Sequence, residues 1–253
     1  MKKIYWLVFV LLFSCGKNNR EEECDCECAQ SWDYPVKPGT AEWNRLGRED
    51  RNELFRLCQI PDNIINCLST EKLLDLCLEY PYLTGIFSMN IFDMGVDGAI
   101  QGVNGTRELF KREDVVHYML KKYMEKIQNL SFLDVEEEKY SMVHLLFKLS
   151  IKIMDGWISR LEGNDETLKE ILRTLITGYE KIVSTKMIGG SAGELLVFNF
   201  YSRAYTIKKM CPKCIEEIPK NEMSFIFTPC GLPNSSRYVY DLINELSYKL
   251  IEP

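Results

Sequence analysis

The sequence predicts an all-α protein, an irregular helical bundle or α-solenoid-like array with a long central helical hairpin. Three observations carry this. Tyr140, Val143, Phe147, Ile151, Met154, Ile158 and Leu161 recur at steps of three and four, the spacing that places side chains on one face of a helix. After a short break, Leu168, Ile171, Leu172, Leu175, Tyr179 and Ile182 repeat the pattern, with Lys169, Arg173 and Lys181 opposite. One stretch alone, Met223-Ser224-Phe225-Ile226-Phe227, reads as a strand.

The chain opens on a leader. Met1-Lys2-Lys3 is a basic head and Ile4 to Phe13 an almost unbroken apolar run, the layout of a secretory signal. That run is far shorter than the ~20 residues a helix needs to span a bilayer. Leu12-Phe13-Ser14-Cys15 resembles the Leu-x-small-Cys lipobox of bacterial lipoproteins. The resemblance implies that residues 1–14 are removed and that Cys15 becomes the lipidated N-terminus, its thiolate forming a thioether to a diacylglycerol group. An N-acyl chain completes such an anchor, each buried CH₂ contributing about 0.8 kcal/mol.

Residues 15–31 read as a lipid-anchored flexible tether, because Gly16 to Glu23 is polar, charged and without an apolar period. Residues 32–253 read as a single helical domain. Trp32-Asp33-Tyr34-Pro35-Val36-Lys37-Pro38 is extended by its prolines. Gly39-Thr40 stops the extension, and Thr40 caps a helix that starts at Ala41. Together with the lipobox, the run Tyr34-Pro35-Val36-Lys37-Pro38-Gly39-Thr40-Ala41-Glu42-Trp43 resembles the entry segment of uncharacterised lipoproteins of the Bacteroidota. Cys58-Gln59-Ile60-Pro61 adds to that resemblance less clearly. The family resemblance implies an outer-membrane address but no activity. Glu21-Glu22-Glu23 loosely resembles the acidic surface-export signal of such lipoproteins; a solvated linker is the other reading.

Short helices follow. Asp50 to Cys58 is one; Pro61 suits the first turn of another, over 62–68. Ser69 caps Thr70 to Glu79, which Pro81 ends. Tyr82 to Val103 carries four glycines at 85, 95, 98 and 102 and reads as two loosely defined helices. Asn104-Gly105 reads as a turn before a short helix from Thr106. Val115, Met119, Tyr123 and Ile127 mark a helix over 113–128. The two helices of the central hairpin come next, the first widened by a second stripe of Met142, Leu146, Leu149, Ile153 and Trp157. Gly163-Asn164 separates them, with Asp165 as cap. Gly189 to Gly193 reads as a hinge, Glu194 to Met210 as a largely buried helix and Cys211 to Gly231 as a loop. Asn234 or Ser235 caps a last helix with Tyr238, Leu242, Leu246 and Leu250 at steps of four.

Thirty-seven acidic residues against 31 basic ones give a net charge of −6. Removal of Lys2 and Lys3 makes the body more acidic still. Nucleic-acid binding needs basic residues to neutralise phosphates, so this balance argues against it. The expected partners are the membrane, through a lipid on Cys15, and an envelope protein or small ligand; no cofactor is implied.

Ten cysteines are many for an exported chain. With Cys15 lipidated the remainder is odd, which leaves a thiol free or paired between chains. Cys211-Pro212-Lys213-Cys214, with Cys230 downstream, is the most specific local pattern. The favoured reading is a disulfide that staples the 211–230 loop through Cys230. A redox pair and a zinc site with a fourth ligand from elsewhere are the alternatives. Cys24-Asp25-Cys26-Glu27-Cys28 could take a soft metal but lies in the tether, with no supporting shell. The two histidines, His117 and His144, lie in helices with no metal spacing and read as partly buried, satisfied side chains. Arg107, Lys111 and Arg112 with Tyr118 read either as a ligand face or as an ordinary helix surface. Glu136-Glu137-Glu138 reads as a solvated first turn.

The expectation is thus a lipoprotein on the periplasmic face or the outside of a bacterial outer membrane, with a helical body that binds a ligand or partner. A cell-envelope enzyme is the alternative, acting as a thiol oxidoreductase through Cys211 and Cys214 or as a hydrolase. A scaffold subunit is a third reading.

Overall fold

The computed structural model describes residues 29–83, 92–130, 142–185, 190–216, 218 and 237–252. Every regular element among them is a helix: α1 Ala41–Glu49, α2 Arg51–Leu57, α3 Asp62–Ile65, α4 Thr70–Leu78, α5 Phe92–Gly102, α6 Asn104–Leu109, α7 Val115–Gln128, α8 Met142–Ile158, α9 Asp165–Ser184, α10 Gly190–Met210, α11 Pro212–Glu216 and α12 Arg237–Ile251. The all-α irregular bundle expected from the periodicity is the fold.

The entry segment is built by turn chemistry. Thr40 N–H donates to the Lys37 carbonyl at 3.2 Å, with Pro38 and Gly39 between them. Gly39 has φ of +84°, the conformation a type II turn requires at that position. Thr40 Oγ1 then accepts from Trp43 N–H at 3.2 Å and starts α1. Tyr34 is buried and its hydroxyl donates to the Leu76 carbonyl at 3.0 Å, which docks the segment on α4. Packing reaches back beyond Trp32: Ala29 is fully buried.

Side chains cap the starts of α2, α4 and α9 as well. Asp50 caps α2 through Glu53 N–H at 3.0 Å, and Ser69 caps α4 through Lys72 N–H at 3.2 Å. Asn164, not Asp165, caps α9, accepting from Thr167 N–H at 3.0 Å. Asn104 is not a turn residue but the first residue of α6. Its amide accepts from Ile60 N–H at 3.1 Å and donates to the Ile60 carbonyl at 2.6 Å. Both polar groups of one loop residue are thus satisfied by a residue far away in sequence. Gly105 beside it lets the backbone approach Ile60 and Cys77: an added Cβ would stand 2.9 Å from Ile60 Cδ1. Of the stretch expected to be a hinge, residues 190–193 already form the start of α10. The loop expected after Cys211 begins with the short helix α11. The strand 223–227, the cap at 234–235, the acidic run 136–138 and the tether before residue 29 lie outside the described residues.

The helices share one core. α7 packs on α4 on one side and on α8 and α9 on the other. α10 has the most extensive contacts, with α9 first, then α8, α12 and α11. The central pair departs in detail from a simple hairpin: α8 and α9 follow each other in sequence but pack chiefly on α10 and α7 rather than on one another. The reason lies in α8. From Ser150 to Ile158 its exposure is low nearly all round, so it needs neighbours on several sides. Before that stretch, Leu146 is 48% exposed. The stripe expected in α12 is rotated by one residue. Val239, Ile243, Leu246 and Ser247 are the buried set, whereas Tyr238 is 57% exposed.

These burials set the expected response to truncation. Ile151→Ala removes a fully buried side chain and should cost roughly 2–5 kcal/mol. Leu146→Ala should stay within about 0.5 kcal/mol, as surface changes do. Denaturant midpoints of the two variants check this; equal midpoints would contradict the orientation of α8.

Candidate functional site

A buried polar cluster lies where α7, α8, α9, α10 and α12 meet. α10 supplies its spine. Asn199, Ser202, Arg203 and Thr206 stand at i, i+3, i+4 and i+7, and all are buried. α8 supplies Asp155, fully buried, and α7 supplies Tyr123, also fully buried.

The hydrogen bonds run as a chain. Arg203 Nε donates to Asn199 Oδ1 at 2.9 Å. Asn199 Nδ2 donates to the Leu175 carbonyl of α9 at 2.9 Å and to Tyr123 OH at 3.3 Å. Tyr123 OH donates to Asp155 Oδ1 at 2.8 Å. Ser202 Oγ donates to the Asp155 carbonyl at 2.6 Å. At the other end Arg203 Nη1 donates to Asn244 Oδ1 of α12 at 2.7 Å. The guanidinium also lies over the Tyr179 ring of α9, 4.4 Å from its centre, a placement favoured by the ring's negative face. Gly178 makes room for Tyr123, because an added Cβ there would collide with the Tyr123 hydroxyl.

The electrostatics follow from enclosure. Burial pushes the Asp155 carboxyl up to about 8, against the opposing pull of hydrogen bonds from Tyr123 and Asn199 and the charge of Arg203. Burial and the nearby Asp155 raise the Tyr123 hydroxyl well above its ordinary value, so it remains a donor. Burial also lowers Arg203, but a guanidinium does not lose its proton in proteins. Two atoms of the cluster, Asp155 Oδ2 and Arg203 Nη2, have no partner among the described residues. The closed side chains put no reactive atom at the surface. What the cluster does is hold a buried charge and, through it, the register of the surrounding helices.

The cysteines divide into three kinds. Cys211 and Cys214 are bonded to each other, with Cα atoms 5.4 Å apart. Neither is therefore joined to Cys230, which lies outside the described residues; the preferred 211–230 staple gives way to a closed turn at the α10–α11 junction. Proximity explains the change, since Cys214 N–H already donates to the Cys211 carbonyl at 3.0 Å. α11 has only five residues and aligns few peptide dipoles to activate a thiol. Cys67 is disulfide-bonded. Cys58 and Cys77 are free and buried, and burial pushes their thiols up to about 11 and about 12. They are apolar filling rather than nucleophiles.

The remaining candidates do not converge. His117 is exposed rather than partly buried and lies edge-on to Tyr118, ring centres 5.1 Å apart. The side chain of His144 lies outside the described residues. Arg112 is no ligand-face residue: it donates to the carbonyls of Leu68 at 2.7 Å and Ile65 at 2.9 Å, and so ties α3 to α6 and α7. Lys111 pairs with Glu108 at 3.3 Å on the surface. Among the described residues no group of three or more His, Cys, Asp or Glu side chains is placed to hold a metal. None of the described helices is long and apolar enough to cross a membrane. No family model, curated protein or solved structure matches this chain.

The sequence carried signals for the buried cluster. Asp155 is the one acidic residue within α8, and the polar residues of α10 share the period of its apolar ones. Both were hidden by reading those helices only for their apolar stripes.

Asp155 fixes a pH dependence. Its folded value lies above the ordinary carboxyl value of 3.8, so the protonated form favours folding. That contribution is complete below about 4 and declines as pH rises towards about 8, where it is lost. The slope from one such group is at most about 1.4 kcal/mol per pH unit. Asp155→Asn keeps an acceptor for Tyr123 and should remove this slope. Urea unfolding of both proteins between pH 5 and about 9 measures the difference; parallel curves would contradict the burial of an ionisable carboxyl here. Gly178→Ala should displace Tyr123 and cost about 1–3 kcal/mol, the range for overpacking. An unchanged midpoint would show that the close approach relaxes freely.

Proposed function

We propose that this chain is a lipoprotein of the bacterial outer membrane, with a helical body that binds a ligand or partner at the cell envelope. The observation that carries the reading is the leader: a basic head, a short apolar run and Leu12-Phe13-Ser14-Cys15 in direct succession. The cysteine chemistry supports it. Cys67 and the Cys211–Cys214 pair are disulfide-bonded, the state favoured in an oxidising compartment. The buried cluster supports the second half of the reading, because it fixes the mutual positions of the long helices and so makes the body a rigid presenter of its surface.

The anchor is tested by feeding cells an alkyne fatty acid and separating their membranes. The wild-type chain should take up label and stay with the outer membrane. Cys15→Ala should be unlabelled and absent from that fraction. Equal labelling of the two proteins would end the proposal.

A further inference from the structure

Cys211 and Cys214 are bonded to each other across the α10–α11 junction. Two properties set this bond apart from a structural staple. The first is its small share in holding the fold. A disulfide stabilises less as the loop it closes shortens, and here Pro212 and Lys213 alone lie between the cysteines. The junction is also held without it. Cys211 N–H donates to the Ile207 carbonyl at 2.7 Å, and Cys214 N–H to the Cys211 carbonyl at 3.0 Å. Ile215 and Ile218 just beyond are buried. One turn earlier, Lys209 Nζ donates to the Leu161 carbonyl at 2.7 Å and pairs with Glu162 at 2.8 Å, which ties the end of α10 to the α8–α9 connection.

The second property is access. Cys211 and Cys214 are half-buried, and Pro212 and Lys213 between them are exposed. Cys58 and Cys77, by contrast, are fully buried and keep free thiols. Exposed disulfides belong to the readily exchanged class, whereas structural ones resist reduction. Cys214 packs against the core, so Cys211 is the sulfur that an incoming thiolate meets. The charge nearest to both sulfurs in sequence is that of Lys213, and a positive neighbour favours the thiolate that leaves. The reacting group is the bond itself, so the shortness of α11 is no obstacle: the attacking thiolate belongs to the partner.

We infer that the Cys211–Cys214 disulfide is a thiol–disulfide exchange site that takes two electrons from a protein dithiol and leaves the helical body intact. The partner thiolate attacks Cys211 Sγ. The Cys211–Cys214 bond breaks, a mixed disulfide forms at Cys211, and Cys214 leaves as a thiolate that takes a proton. The partner's second thiolate then attacks its own sulfur in the mixed disulfide and releases Cys211, which is protonated in turn. The partner ends as a disulfide, having lost two electrons and two protons, and this chain ends with two thiols. The inference goes beyond the proposed binding body and does not depend on the lipid anchor.

The test uses the full chain with dithiothreitol as the probe dithiol. After graded treatment in native buffer, acid quenching, alkylation and mass mapping, Cys211 and Cys214 should be found opened together. The urea midpoint of the protein so reduced should match that of the oxidised protein. A pair that opens only once the chain unfolds in urea, or a midpoint that falls when it opens, would overturn the exchange site and make the bond a staple. A second measurement uses Cys214→Ser, which removes the thiol that closes the bond again. Treated natively with glutathione disulfide, this variant should retain glutathione on Cys211. The reduced wild type, treated in the same way, should return to the Cys211–Cys214 bond. A Cys211 that stays unmodified until urea is added would likewise count against the inference. Labelling at Cys15 reads the anchor separately, so either proposal can fail alone.

Discussion

The architecture depends on keeping one positive charge inside a helical core. Arg203 is fully buried, and an uncompensated buried ion is among the most costly features a fold can carry. Its compensation comes from every side. α10 provides Asn199, α12 provides Asn244 and α9 provides the Tyr179 ring. Asp155 of α8 is reached through Asn199 and the Tyr123 hydroxyl of α7. The long helices α8, α9 and α12, which pack on α10, each contribute a side chain to the cluster. Apolar burial brings these helices together without fixing their rotation or axial position. The directional bonds of the cluster add that specification.

Much of this was legible in the sequence where one physical rule acted alone. The caps at Thr40 and Ser69 follow from side-chain chemistry within three residues, and the helices start where those residues place them. The long apolar stripes of α7 and α9 are buried as their spacing implies. What escaped was set by distance. Asn104 reads as a turn former until Ile60, far back in the chain, satisfies its amide. In α12 two overlapping stripes compete, and contact with α9 and α10 selects the one that includes Val239 and Ile243. The hairpin reading assumed that sequence neighbours are spatial partners, but α10 offers a longer complementary face to both α8 and α9.

The candidate site was less legible than the fold, and for a related reason. Sequence patterns of reactivity point to residues that advertise a motif: the Cys-x-x-Cys pair, the histidines, the basic turn near Arg112. The structure uses these locally, as a closed turn, an exposed ring and a set of carbonyl contacts. Strongly perturbed chemistry belongs to Asp155 and Tyr123, which no motif marks. Their signal is displacement, a polar residue on the side of a helix where its neighbours are apolar.

The position of α7 has a consequence for how the molecule opens. Together with α5, which also packs on α8, it is the helix through which α4 and the elements around it meet α8 and α9. Val115, Met119, Tyr123 and Ile127 on its buried face are almost without solvent contact. A fluctuation that frees the entry half or the long-helix half must expose part of that face, so neither half can loosen far without drawing on the other. The amides of α7 are therefore expected to exchange among the slowest of the described residues. Cooperativity across the joint resists unravelling from either side.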